Sequence, residues 1–550
     1  MNIQVKQVSS LEKILPNGSI ENYSEINKKT LLKGQSFSYQ IAIETSHNAE
    51  LKIELISPIK DYVNVYVVKN SICDMPTYFD TKDENFITKE PCLIPDVLMP
   101  FEDEGNVIRL NNESGSIWVN LNLSDDIPKG EYELTVNLSY ATATEKFTAS
   151  KTMKISVTDE KIPSQKTIFT QWFHTDSIAD IHNVEIYSDA HWDLIDKYMS
   201  LAKNLGINMI LTPVITPPLD TEVGKMRPCT QLVKIEKKNE NYIFDFSLLK
   251  KWISLCKKNN IEYYEISHLF SQWGLKFAPN IKISENGKEY LMFGWHVKSD
   301  DEKYKEFLCQ FLPSLVEFLK GENILDKCYF HISDEPSKEH IETYKYAHSI
   351  VSSYVDSSRI MDAISDYQFY ETGLIKTPVT ATNHIEEFLE NDVQNQWAYY
   401  CCGQFEKVGN RFLAMPSHKN RILGIQMYKF GIKGFLQWGY NFYYSQLSRK
   451  KINPYITTSS DKAFPSGDPF SVYPTDNGCT PSLRAIIFKE ALEDIEILRK
   501  LEEKIGRDEV IKMIDKEAKM DLTFKDYPTE SSFIPQLIDK AIKMINKKTS

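Results

Sequence analysis

Cys328-Tyr-Phe-His-Ile-Ser-Asp-Glu-Pro336 is an apolar run that ends on two adjacent carboxylates and is stopped by a proline. Its side chains favour a pleated, buried backbone, and Pro336 cannot continue a hydrogen-bonded ladder. The same dipeptide recurs at Asp83-Glu84, Asp103-Glu104, Asp159-Glu160, Asp301-Glu302 and Asp508-Glu509, but in polar, loop-like or helical surroundings. On either side of the run the spacing is helical. Upstream a helix spans Phe307 to Leu319, and downstream Ile341, Tyr344, His348 and Val351 share one face.

The alternation extends outward in both directions. Thr167-Ile-Phe-Thr-Gln-Trp-Phe173, Asn208-Met-Ile-Leu-Thr212 and Glu262-Tyr-Tyr-Glu-Ile-Ser267 read as three earlier strands. The helices between them are marked by Leu194, Tyr198, Leu201 and Leu205, and by Leu249, Trp252, Ile253 and Cys256. Arg359-Ile-Met-Asp-Ala363, Pro378-Val-Thr-Ala-Thr382, Gln396-Trp-Ala-Tyr-Tyr400 and Gly434-Phe-Leu-Gln-Trp438 supply four more strands, and a long amphipathic helix starts near Ser482. Eight strands alternating with helices predict a (β/α)8, TIM-like barrel. The fifth and sixth units carry weak helical patterns, so irregularity is expected there. The Lys-rich tail after residue 500 is expected to form C-terminal helices packed on the barrel.

Before residue 160 the period is two. Ser36-Phe-Ser-Tyr-Gln-Ile-Ala-Ile43, Val63-Asn-Val-Tyr-Val67 and Glu131-Tyr-Glu-Leu-Thr-Val-Asn-Leu138 are examples, separated by polar turns. This predicts an antiparallel β-sandwich over residues 1–162 and the barrel with its C-terminal helices over 163–550. A chain of 550 residues is long enough for two or three domains. The sandwich is expected to act as structural support.

A net charge of −12 argues against nucleic acid or an anionic membrane as partner. Nine cysteines without metal-ligand spacing read as reduced thiols, and Cys401-Cys402 reads as a buried strand end. There is no apolar leader segment and no run of 18 apolar residues, so the expectation is a cytoplasmic protein with no membrane span.

Barrels of this kind carry their sites at the C-terminal ends of the strands. There the sequence places His174 and Asp176, His268 and Trp273, Asp334 and Glu335, Asn383, Tyr399, and Trp438 with Tyr440. A later loop brings Asp468. Acids, histidines and aromatics on one rim suit a neutral polyol, which needs hydrogen bonds and a stacking floor. A lone His at a strand end is more often a structural hydrogen-bonder than catalytic, and Trp438 reads equally well as barrel packing. His174, His268 and His296 with Asp334 have no metal-ligand spacing, so neither metal nor cofactor is expected.

Carboxyl pairs cleave glycosidic bonds, but adjacent residues are poorly placed to flank an anomeric carbon from opposite faces. Such a pair suits a sugar whose own 2-acetamido oxygen attacks C1. Glu335 would protonate the leaving oxygen, helped to stay protonated by the neighbouring charge, and Asp334 would hold the acetamido N–H. Alternatives are a glycosidase of different sugar specificity, with a second carboxylate such as Asp176, Asp362 or Asp468 opposite Glu335, and a non-catalytic glycan-binding protein.

His331-Ile-Ser-Asp-Glu-Pro336, Gly434-Phe-Leu-Gln-Trp-Gly-Tyr-Asn441, Gly467-Asp468, Tyr473-Pro474 and Ser482-Leu-Arg484 followed by Glu490-Ala-Leu-Glu-Asp494 resemble glycoside hydrolase family 123, the β-N-acetylgalactosaminidases. The resemblance implies exo-acting, retaining, substrate-assisted hydrolysis of terminal β-linked GalNAc from oligosaccharides or glycolipid glycans. It implies Asp334 as oxazoline stabiliser and Glu335 as acid/base. His174, His268, Trp273, Asn383, Tyr399, Trp438, Tyr440 and Asp468 are the substrate-binding candidates by position.

Overall fold

The computed structural model describes residues 3–142 and 145–547. Two five-stranded sheets form the N-terminal sandwich. In one, Ser36–Thr45 pairs antiparallel with Ile3–Ser9 and Ser114–Asn122. In the other, Lys146–Lys161 pairs antiparallel with Gly130–Ala141 but parallel with Lys28–Lys33. Alternating inward residues such as Tyr39, Ile41, Ile43, Leu134, Val136 and Leu138 fill the space between the sheets.

The eight barrel strands follow in the expected order: β1 Ile168–Gln171, β2 Met209–Thr212, β3 Tyr263–Ile266, β4 Cys328–Phe330, β5 Met361–Ile364, β6 Thr377–Ala381, β7 Trp397–Tyr399 and β8 Gly434–Gln437. All neighbours pair parallel, and β8 returns to β1. Between β4 and β5 a single bridge, Phe330 to Ile360, closes the ring. The helices after β5 and β6 are the short Gln368–Glu371 and Glu386–Glu390, where weak helical patterns had been read. Excursions after β2 and β3 each form a hairpin, and the two hairpins join in a four-stranded sheet.

Inward-facing Ile168, Met209, Leu211, Ala363, Val379, Trp397, Tyr399 and Leu436 pack the barrel. On β7 the alternation therefore turns Trp397 and Tyr399 inward, while Tyr400 packs outside on Phe435 and Phe488. Gly434 makes room for Trp397, because a Cβ there would collide with the indole.

Leu11, Leu32, Leu98 and Trp118 of the sandwich belong to the same continuous core as the barrel helices. Arg484 on the long helix Leu483–Ile505 pairs with buried Asp96, 2.8 Å away, and Tyr473 reaches the same carboxylate at 2.6 Å. The helices Arg507–Ala518 and Phe533–Ile545 pack against Leu483–Ile505. No helix among the described residues is long and apolar enough to cross a membrane.

Candidate active site

The chain beyond β4 stays in register with the chain beyond β3. Leu269 N–H donates to the His331 carbonyl, Phe270 N–H to Ile332 and Trp273 N–H to Asp334, at 3.2, 2.9 and 3.0 Å. This extended ladder carries Asp334 to the rim. Neighbours on a regular strand face opposite ways. Here Glu335 adopts a left-handed backbone, φ 47°, so both carboxyls turn into one pocket. Asp220 and Trp273, at φ 38° and 55°, are two further non-glycine pocket residues in that strained region.

The pocket encloses about 570 Å³ out to its open mouth. Its walls are aromatic or apolar at Trp172, Leu219, Trp273, Leu436, Trp438 and Phe464, and Asp220, Gln272, Asp334, Glu335 and Tyr399 bring polar groups to it. A larger opening lies at the opposite end of the barrel, below Lys166, Ile168 and Lys433 where β1 and β8 begin, and holds no paired strand-end carboxyls.

Both acids are held from the side. The Tyr399 hydroxyl donates to Oε1 of Glu335 at 2.7 Å. Gln272 Nε2 donates to Asp334 Oδ2 at 3.2 Å, while its carbonyl oxygen accepts the Asp220 N–H, which fixes the amide orientation. Asp334 is only 6% exposed. Burial, and then the Glu335 charge, push its carboxyl well above the usual range. Asp334 is the more deeply buried of the two acids.

Beneath the pair lies a buried ionic row across β3, β4 and β5. His331 Nε2 meets Glu265 Oε1 at 2.7 Å, and its Nδ1 meets Asp362 Oδ1 at 2.9 Å. Glu265 also takes the Trp172 indole N–H at 2.7 Å, and Asp362 takes the Tyr344 hydroxyl at 2.6 Å. Burial alone would lower the His331 pKa, but the bonds and charges of the two carboxylates raise it to about 10. His331 is therefore an imidazolium. His268 stacks on it with ring centroids 4.1 Å apart and is held neutral by burial and by that charge. His268, His331 and Asp362 bring possible ligand atoms within 4.8 Å of one another, but both His331 nitrogens already bond carboxylates and offer no lone pair to a cation.

A model of the glycoside hydrolase 123 catalytic domain matches residues 172–501, more than half of the chain. The chain belongs to glycoside hydrolase family 123. It is a glycoside hydrolase by family. Its fold is similar to that of a family 123 enzyme from Clostridium perfringens studied for glycolipid glycan hydrolysis, with 15% identity, TM-score 0.73, and 99% of this chain and 98% of that chain covered. A β-glucuronidase from Parabacteroides merdae is matched at TM-score 0.32 and 12% identity over 89% of this chain and 51% of its own. A search of curated proteins finds no match.

In this family 123 pocket, Trp273, Tyr399 and Trp438 of the expected contacts line the walls beside Asp334 and Glu335. The other candidates do not line this pocket. His174 is buried by Arg227, whose Nη2 donates to its Nδ1 at 3.1 Å, leaving Nε2–H to donate to the Trp438 carbonyl at 2.9 Å. Asp468 is fully buried and accepts the Trp438 indole N–H at 2.9 Å. Burial pushes its pKa up to about 7, against Arg411 and Trp438. Tyr440 packs on Phe173 and donates to the Tyr198 carbonyl. Asn383 accepts from Gln404 and so steadies the loop after β7, and His268 lies under Trp172. Cys401 and Cys402 are half-buried in the pocket wall and do not form the buried strand end expected of them.

Asp176, offered as a distant second carboxylate, is neutralised by Arg227 through two bonds of 2.7 Å, and Asp362 is taken by His331 and Tyr344. The sequence reading did not single out Asp220, Trp172, Glu265 or the role of Gln272. Only Gln272, just past β3, had a positional signal. Burial raises Asp220 to about 6, against the Leu447 amide and the charges of Arg227 and Arg449.

Proposed function

We propose that this family 123 hydrolase is an exo-acting β-N-acetylgalactosaminidase that releases terminal β-linked GalNAc with retention, through an oxazoline formed by the substrate itself. One observation carries the reading: adjacent Asp334 and Glu335 enter the same pocket, because Glu335 has a left-handed backbone. Two carboxyls in one pocket disfavour a second negative charge. An acetamido N–H donated to Asp334 draws the negative charge there and leaves the proton on Glu335. Glu335 then gives it to the glycosidic oxygen as the acetamido carbonyl oxygen bonds to C1 and the C1–O bond breaks. In the second half, Glu335 takes a proton from the water that attacks C1 and reopens the ring.

Tyr399 aims Glu335, Gln272 aims Asp334, and Trp438 is the stacking floor. Asp220, with one oxygen on the Leu447 amide, is the carboxylate left for sugar hydroxyls. Free thiols at all nine cysteines suit a reducing cytoplasm. The test is release of the aryl group from aryl β-GalNAc and β-GlcNAc. The GalNAc substrate should turn over, and Glu335→Gln should cut kcat by about a hundredfold or more. Turnover of neither by the folded protein overturns the proposal.

A second reading rests on Asp220, the other carboxyl in the pocket: a glycosidase for sugars without an acetamide, with Asp220 opposite Glu335. In that case Asp220→Asn abolishes turnover while Asp334→Asn leaves most of it. Glycan binding without any product would favour a non-catalytic role.

A further inference from the structure

β4 ends at Phe330, and its one backbone link to β5 is the bridge from Phe330 to Ile360. Beyond that point the carbonyls of His331, Ile332 and Asp334 bond on the β3 side, to the amides of Leu269, Phe270 and Trp273. On the β5 side one buried carboxylate takes the place of a strand. Asp362 Oδ1 meets His331 Nδ1 at 2.9 Å. Its Oδ2 accepts the amides of Ile332 and Ser333, both at 3.3 Å, and the Tyr344 hydroxyl at 2.6 Å. Residues 331, 332 and 333 therefore all bond a single side chain, and the next two residues are Asp334 and Glu335.

Neither Asp362 nor Tyr344 lines the pocket, and both are fully buried. A buried carboxylate is a costly way to join two strands, which backbone pairing would do without charge. What the carboxylate adds is a hold on a segment that has already left regular pairing with β5. The row continues from His331 to Glu265, which takes the indole N–H of Trp172 in the pocket wall. The acid pair and that wall are thus fixed to one frame. The charges of the row reach Asp334 as well: the His331 imidazolium favours its ionised form, while Glu335 and Asp362 oppose it.

We infer that Asp362 is a positioning residue for the acid pair, fixing the backbone of residues 331–333 so that the turn at Glu335 delivers both carboxyls to the substrate. Tyr344 in turn fixes Asp362. The inference rests on the proposed acetamido-assisted hydrolysis, and makes its geometry depend on two residues outside the pocket.

The experiment compares wild type, Tyr344→Phe and Asp362→Asn in steady-state kinetics on aryl β-GalNAc. Inhibition by GalNAc-thiazoline, a stable analogue of the oxazoline, is measured alongside, and thermal unfolding establishes that each variant is folded. Displacing reacting groups slightly costs turnover more than ground-state binding. Tyr344→Phe should lower kcat about three- to tenfold and Asp362→Asn about ten- to a hundredfold, with KM within about twofold. The thiazoline inhibition constant should rise in step with the fall in kcat. If Asp362→Asn does not fold, Tyr344→Phe decides, because it removes one hydroxyl and leaves the ring packed on Phe369. Folded variants with wild-type kcat and thiazoline affinity overturn the inference alone. So does a change confined to KM, which would mean that the row only shapes the pocket wall. A wild-type protein that turns over neither aryl β-GalNAc nor aryl β-GlcNAc overturns the functional reading and this inference together.

Discussion

The Tyr399 hydroxyl and Oε1 of Glu335, on β7 and beyond β4, are joined by a 2.7 Å hydrogen bond across the barrel mouth. It restrains the carboxyl of a residue whose own backbone is strained. Tyr399→Phe keeps the ring and removes the donor. It is expected to lower kcat about ten- to a hundredfold with little change in KM, read by steady-state kinetics on an aryl glycoside.

Asp334→Asn should make the protein inactive and more stable. The Asp334 carboxyl is raised in the folded state, by burial and then by Glu335. The folded protein thus holds this proton more tightly than the unfolded chain, and stability is lost as pH rises above the ordinary carboxylate range. Asn removes that cost. Denaturant unfolding at pH 8 should give a gain of about 1 kcal/mol or more, shrinking to nothing near pH 4. Equal stability at both pH values would refute it.

His331 follows the same sign in a higher pH window. Its folded pKa, about 10, lies above the ordinary 6.5, so its pairing stabilises fully below pH 6.5 and is lost as pH climbs through about 10. His331→Gln strands Glu265 and Asp362 as buried charges and should cost about 3–5 kcal/mol at pH 6. The difference between wild type and variant in urea unfolding should narrow at pH 10.

Trp438 is fixed by its carbonyl on His174 and its indole on Asp468. Trp438→Ala should raise KM about tenfold while Glu335 chemistry, read in kcat, changes far less. A fall confined to kcat would mean that Trp438 packs the barrel and does not hold sugar.

The strands and the carboxyl pair were legible because each has a local cause: periodicity for the strands, and Pro336 for the turn that follows Glu335. Trp438 was legible as an aromatic at a strand end. What eluded the sequence depends on direction and depth. His174 and His268 occupy the same kind of position as Tyr399, but Arg227 and Trp172 cover them, and neither cover is near in sequence. Gln272 and Asp220 matter through a bond between two loops, one of them left-handed at Asp220. The reach of Tyr78 to Phe405 joins positions from different domains, which no periodicity encodes.

The single backbone bridge between β4 and β5 has a consequence for the chemistry above it. β1 and β2 are likewise joined by one residue pair, Thr170 with Met209, while the other neighbours share longer ladders. At the β4–β5 seam, His331 and Asp362 act as a clasp, with the Asp362 carboxylate also catching the amides of Ile332 and Ser333. The girth of the barrel at its reactive mouth is thus set by side chains that can mutate or titrate. Opening that clasp would widen the slot into which Asp334 and Glu335 both turn.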